Sequence, residues 1–369
     1  MPAPYRADHV GSLLRPASVK RAHEQFDARQ ISAGELEAAE DDGIRGLIAL
    51  QEGVGLKVVT DGEARRHFWH YDFLRDLTGV EFVTRAAETG NAFHGLKHPA
   101  IFPTIVGPLD FPDDHPMLEH FRFVAANTRV TPKISIPGPS VAHFRTAKAD
   151  ILAPEYQDRE RLFDDLAKTF AKAVRRFYEA GCRYLQMDDI YFAYLGDEKQ
   201  RALKQAEGWD PDWLIEKYAW MMHEAIKDRP ADMLIGMHMC RGNFRSTWAA
   251  EGGYDAAADA IFNKSGVDLF FMEYDSERAG SLEPLRLLPK GKQRVYPGFI
   301  TTKTGALESL DMLRRQFDKA AQYVDLDQLG IAPQCGFSST EFGNDLTEDD
   351  QKRKLGLVVR TAEAIWGEP

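Results

Sequence analysis

Cysteine is scarce: Cys182, Cys240 and Cys335 are the only three in 369 residues. An odd, small number in a chain this size is no disulfide framework, so reduced thiols and a cytoplasmic setting are expected. Positive charge is also short. Lys and Arg number 46 against 57 Asp and Glu, a formal net charge of −11, which argues against nucleic acid and anionic membrane as partners. No apolar run is long enough to cross a bilayer, and the opening MPAPYRADHVGS has no apolar signal core. Low-complexity tracts, short repeats and linkers are absent. Cys182, in EAGCRYLQMDD, reads as a buried structural thiol.

What the chain does have is alternation. Strand-like apolar runs occur at 56–63, 132–139, 183–189, 233–240, 267–274, 294–300 and 329–335, and a short opening strand near 5–12 makes eight. Helical spacing of apolar positions occupies 34–53, 159–180, 211–228, 246–263, 305–323 and 347–366. Strands alternating with helices predict a parallel sheet. Eight such units predict an α/β fold of the (β/α)8 TIM-barrel type, with residues 1–369 as one domain. Two long connections, 64–131 and 190–230, follow strands two and four and read as insertions.

The polar residues then fall in a pattern, because a barrel carries its active site at the C-terminal ends of its strands. The stretch MLIGMHMC ends in His238 and Cys240. On an extended chain these point to one side, with Cα atoms roughly 6.6 Å apart from about 3.3 Å of rise per residue. Glu273 closes the run 267–274, and Cys335 follows the last run. An imidazole, two thiolates and a carboxylate make a tetrahedral set that suits Zn2+. Core packing of His238 and Cys240 is the plainer alternative. Glu273 could instead pair with Arg278 or hold His238 from behind.

Ligands drawn from three separate strands at the functional face favour a catalytic metal over a structural one, whose ligands usually come from a local knuckle. A sulfur-rich zinc is a poor activator of water, but it suits an incoming thiol held as a thiolate. The chemistry expected is therefore S-alkylation of a small thiol. Glu63 and Asp188 are candidate anchors for a substrate ammonium, with helix capping as the alternative. Val10, Gly11 and Ser12 offer a tight turn and a hydroxyl for a carboxylate. Phe68, Trp69, His70, Tyr71 and Phe73 either stack a planar ligand or pack the insertion onto the barrel.

The motifs HVGSLLRP, VTDGEARR, QMDD, HMC, MEYD, PGFITTKT and QCGFSSTEFGN resemble those of the cobalamin-independent methionine synthases, in their C-terminal catalytic barrel, over almost the whole chain. The resemblance implies a methyltransferase in which a zinc-bound homocysteine thiolate takes the methyl of a methyl-tetrahydrofolate. It implies His238, Cys240, Glu273 and Cys335 as zinc ligands, Val10 and Ser12 as the carboxylate site, and Glu63 and Asp188 as amino-group anchors.

The sequence departs from that family in three ways. It is long enough for one barrel, where full-length members carry two. The family's catalytic histidine, in a D-I-H-S segment, is matched by Lys303 in Thr301-Thr302-Lys303-Thr304. Lys303 is a candidate proton donor or charge anchor, with a solvated lysine as the alternative. The tryptophan expected after the third strand's Gly-Pro is absent from GPSVAHFR.

Other readings stay open at this point. They are alkyl transfer from a non-folate donor or to another thiol, as in epoxyalkane–coenzyme M transferases; a lyase of the uroporphyrinogen decarboxylase type; and a non-catalytic zinc or thiol binder. Self-association into a homo-oligomer is compatible with all of them.

Overall fold

A computed structural model describes residues 5–85, 92–93, 96–97, 101–291 and 293–369. Eight parallel segments close into a barrel. Five form one continuous sheet: Ile134–Pro137, Tyr184–Asp188, Leu234–Met239, Leu269–Glu273 and Arg294–Gly298. Upstream of Ile134, Thr131–Pro132 pairs with Val58–Val59, so strand three continues strand two into the sheet. The last segment bridges strand seven through Val295–Leu329 and Ile300–Pro333, and it bridges the first through Ala7–Ile331. The first segment meets the second where Leu13 N donates to Gly62 O at 2.9 Å. Strand one is only a bridge at Ala7, although the sequence suggests a strand over 5–12.

Side chains alternate strictly along these strands, as pleated backbone requires. Leu185, Met187, Ile235, Met237, Phe270 and Met272 point outward into the large core shared with the helices. Their neighbours point inward. A small apolar plug of Val58, Tyr184, Leu269, Phe271, Tyr296 and Ala332 fills the barrel floor. Above it, Lys133 Nζ binds Asp8 Oδ1 at 2.7 Å, and Tyr184 OH donates to Asp8 Oδ2 at 2.6 Å. Still higher come Ser135, Asp188, His238 and Glu273.

Helices Ala33–Gly53, Arg159–Glu179, Pro211–Ile226, Leu310–Ala320 and Glu348–Trp366 lie close to the expected ranges. Their caps explain their starts: Ser32 and Thr347 form reciprocal capping boxes with Glu35 and Asp350.

One expected helix is wrong. Of 246–263, only the end is helical, as a short π-turn over Ala260–Lys264. Ser246 (φ 62) and Gly252 (φ 112) both take left-handed backbone. A Cβ on Gly252 would sit 2.3 Å from Gly196 O, so this stretch packs as loop against loop.

The insertion after strand two folds in part as an antiparallel pair, Thr78–Thr84 with Ile101–Asp110, followed by helix Pro116–Asn127. It also holds the short helix Tyr71–Arg75, and much of 86–100 lies outside the described residues. The insertion after strand four holds helices Tyr191–Tyr194, Glu198–Ala206 and Pro211–Ile226. Both insertions rise over the C-terminal mouth. Among the described residues no helix is long and apolar enough to cross a membrane.

Candidate metal centre and thiol pocket

Register places the key groups side by side. Pro137, Asp188 and His238 are successive cross-strand partners, and His238 faces Phe271 on the next strand. Two residues on, Cys240 leaves the strand on the same inward side. Cys335 arrives from strand eight, and its Sγ lies 3.6 Å from Cys240 Sγ. Ligand atoms of His238, Cys240 and Cys335 all lie within 4.8 Å of one another, and all three residues are buried.

Two features suit these residues to a soft divalent ion. Both ring nitrogens of His238 are buried without a hydrogen-bond partner, a state buried polar groups avoid unless something else satisfies them. Nδ1 lies 3.4 Å from Asp188 Oδ1, too long for a good hydrogen bond but close enough to orient the ring. The contact with Cys335 and burial push the Cys240 thiol well up, while Cys240 and His238, working against burial, hold Cys335 well below the ordinary thiol range. A thiolate beside an imidazole is the donor chemistry that zinc prefers.

Glu273 is not brought into this group. Its carboxylate takes Arg241 N at 2.7 Å on Oε2, and Arg278 Nη2 binds Oε1. Lys303 Nζ lies 3.9 Å from the same Oε1. Burial alone would raise this carboxyl, yet Lys303, Arg278 and Arg241 hold it down at about 2. The pair with Arg278, weighed above as an alternative, is the one formed here. Lys303 is not a solvated lysine either. It is 7% exposed, and its Nζ is buried without a hydrogen bond.

The remaining predicted residues line one pocket with the His–Cys–Cys group. Val10, Ser12, Glu63, Asp188, Trp69 and His70 all reach it. Glu63 stands at φ 57, a left-handed conformation rare for a side-chain-bearing residue. Strain of this kind persists where the surroundings fix it. Here Asp61 Oδ1 accepts Glu63 N at 2.9 Å, and Ser135 Oγ donates to Glu63 Oε1 at 2.9 Å. Glu63 Oε2 has no hydrogen-bond partner. Burial, with Asp188 nearby and against Arg66, raises its carboxyl to about 7.

Ser12 lies under the loop after strand eight. Its O accepts Phe337 N at 2.9 Å, and Ser338 N donates to its Oγ at 3.3 Å. A Cβ on Gly336 would fall 1.8 Å from Ser12 Oγ, so this approach requires glycine. The aromatic cluster divides: Trp69 and His70 face the pocket, while Phe73 stacks in the core on Phe111. Cys182 is buried just before the strand Tyr184–Asp188, at the end opposite Asp188, and does not line the pocket; burial pushes its thiol up to about 12.

Sequence reasoning missed Arg145, Tyr194 and Asn243, which also line the pocket. Arg145 ends the short helix Pro139–Arg145 that begins at the third strand's Gly-Pro. Its signal was in plain view: a cation in the segment where the expected tryptophan is missing.

Residues 6–363 match the family model described as "Cobalamin-independent synthase, Catalytic domain". Protein YxjH of Bacillus subtilis, which is uncharacterised, is 45% identical over 99% of this chain and 95% of its own. Methionine synthase of Pyrococcus abyssi is 24% identical over 89% of this chain and 84% of its own. Among solved structures, one from Listeria monocytogenes, assigned as a vitamin-B12-independent methionine synthase, is 37% identical with a TM-score of 0.79 over the whole of both chains. A B12-independent methionine synthase from a Shewanella species, in complex with selenomethionine, shares the fold at 20% identity, with a TM-score of 0.70 over 98% of each chain.

Proposed function

The chain belongs to the cobalamin-independent synthase catalytic-domain family, a methyltransferase family, and on that premise we propose that it methylates the sulfur of homocysteine to give methionine. The donor proposed is a methyl-tetrahydrofolate, and residues 1–369 act as a single catalytic barrel in the cytoplasm. The observation that carries the reading is the convergence of His238, Cys240 and Cys335 in one pocket with two acidic side chains.

His238, Cys240 and Cys335 would hold zinc, and Glu273 is the proposed fourth ligand of the resting centre, in competition with Arg278 and Lys303. When bound, zinc supplies Lewis acidity that keeps a thiol deprotonated near neutral pH. The chain does the rest. Glu63 and Asp188 take the substrate ammonium; Glu63 Oε2, buried without a hydrogen bond and 3.8 Å from Arg66 Nη1, is the acceptor left over for it. The carboxylate goes to the turn at Val10 and Ser12, which adjoins them: Gln186 Nε2 donates to both Val10 O and Asp188 Oδ1. Held by both groups on its α-carbon, the amino acid presents its sulfur in a fixed direction, which is where most of the orientational gain of a two-substrate reaction lies.

The sulfur then forms a bond to the methyl carbon as the carbon–nitrogen bond of the donor breaks. The departing nitrogen needs a proton, and Lys303, buried beside Glu273, is the proposed source. Carbon–sulfur bond formation leaves a neutral thioether, and the proton passed to the departing nitrogen leaves the donor as its demethylated form.

The test is metal content, with zinc-edge X-ray absorption before and after homocysteine. One zinc per chain, with a further sulfur scatterer on addition, is expected. No zinc in carefully purified protein would sink the mechanism.

A further inference from the structure

Beneath the thiol pocket lies a polar layer that the proposed chemistry does not use. Asp8, Lys133 and Gln186 form it, and all three are completely buried. The Lys133 ammonium has three protons and gives them to three acceptors: Asp8 Oδ1 at 2.7 Å, His9 O, and Gln186 Oε1 at 3.2 Å. Gln186 Nε2 has two, and gives them to Val10 O and Asp188 Oδ1. Asp8 is completed by His9 N on Oδ1 and by Tyr184 OH on Oδ2. We propose that Gln186 is a positioning residue for the acceptor thiol: its amide, oriented by Lys133, holds the turn at Val10 and the amino anchor Asp188 in one fixed relation. The inference rests on the homocysteine reading above.

The amide has one way round. An ammonium only donates, whereas a backbone carbonyl and an ionised carboxylate only accept. Oε1 must therefore face Lys133, and Nε2 must face the two acceptors. A glutamine amide is ordinarily free to flip by half a turn; here the buried cation on one side and two acceptors on the other forbid it.

Its two bonds reach both anchors. A trans peptide points its N–H away from its C=O, so fixing Val10 O also fixes the direction of Gly11 N–H, a donor in the turn that would take the carboxylate. Gly11 stands at φ 137, a backbone that glycine adopts readily and other residues rarely do. At the second bond, Asp188 Oδ1 is engaged by Gln186 and lies 3.4 Å from His238 Nδ1, which leaves the other oxygen for the ammonium. One side chain thus ties both α-carbon anchors to the histidine of the metal group. A buried ion pair such as Lys133–Asp8 rarely adds stability over apolar packing, but a fully bonded buried network is rigid. Rigid support from behind is what a site needs to hold its contacting groups in register.

The test compares homocysteine with 1-propanethiol, which has the same sulfur arm and neither α-carbon group. Affinity for each is read from the sulfur added at zinc over a concentration series, at full zinc loading. In Gln186→Met the preference for homocysteine is expected to fall about tenfold, the loss of charge-assisted support to its anchors, with propanethiol affinity little changed. Gln186→Glu keeps the shape and the bond to Lys133, which guards against a methionine variant that fails to fold. Its oxygens repel the two acceptors, so the same fall is expected. Hydrogen exchange in the peptide spanning 8–14 is expected to quicken in both variants.

An unchanged preference in both variants overturns the proposal. So does an equal loss for the two thiols, which marks a merely structural role. If the wild type itself does not prefer homocysteine, the homocysteine reading fails. Faster exchange at 8–14 in the variants would then still support Gln186 as the residue that sets the turn, and unchanged exchange would overturn it.

Discussion

Cys240 and Cys335 are 95 residues apart in sequence, yet their sulfurs lie 3.6 Å apart at the ends of strands five and eight. That is too far for a disulfide, whose sulfurs are about 2.05 Å apart, and close enough for one ion to bridge both. His238 and Cys240 from strand five and Cys335 from strand eight meet at this one point, so the barrel itself is the template. Cys335→Ser is expected to cut zinc affinity by roughly 100-fold or more, beyond the 10–100-fold typical of outer-sphere partners. Metal analysis after gel filtration checks this, with circular dichroism showing that the barrel remains. Full zinc stoichiometry in the variant would remove Cys335 from the ligand set.

Glu63 predicts a pH dependence. Its folded value of about 7 is raised from 4.5, chiefly by burial. Below 4.5 both folded and unfolded forms are protonated and nothing is lost. As pH rises to 7 the unfolded form ionises first, so the folded state loses stability through that window, on the order of 3 kcal/mol. Glu63→Gln should therefore be the more stable protein above pH 7 and equal to wild type below pH 4.5, as read by thermal melting.

Binding has the opposite sign. An ammonium needs the carboxylate, so homocysteine affinity should rise as pH passes 7, and that limb should vanish in Glu63→Gln. A wild-type profile flat from pH 6 to 8 would rule Glu63 out as the anchor.

Much of the fold was legible because short apolar runs, nearly all ending in polar residues, alternate with helical spacing along the chain, and strand ends in a barrel converge. Register made Asp188 and His238 neighbours, which spacing alone could not state. The helix expected over 246–263 failed because apolar spacing ignores backbone sign, and Ser246 and Gly252 both sit at positive φ. The surroundings of Glu273 were legible only as an alternative, since Arg278 competes through a tertiary contact. Lys303 could not be told from a surface lysine, because burial at the mouth depends on how the loops close over it.

Glu273 is held by three cationic residues, and this too can be measured. Arg241 N and Arg278 bond it directly, and Lys303 stands 3.9 Å away. Removing one partner of a buried charge set strands the others, at about 3–5 kcal/mol. Glu273→Gln keeps the shape and some hydrogen bonding, so a loss near the lower end, about 3 kcal/mol, is expected in urea unfolding. An unchanged midpoint would mean that the three cations do not depend on the carboxylate.

Lys303→Met separates a chemical role from a structural one. The lysine stands beside Glu273, whose carboxyl it helps to hold down together with Arg278 and Arg241, so its loss also perturbs the centre. A structural role alone would lower zinc occupancy or stability and leave turnover per zinc unchanged. A proton donor to the departing nitrogen would instead lower kcat per zinc by about 100-fold or more, the usual span for general acids, with the KM for homocysteine little changed. The discriminating measurement is single-turnover methyl transfer normalised to bound zinc, with Lys303→Arg beside it. Arginine keeps the charge next to Glu273 but cannot give up its proton at neutral pH. If Lys303→Arg transfers methyl at the wild-type rate, Lys303 serves only as a countercharge; if both variants are slow while zinc and fold are intact, the proton comes from Lys303.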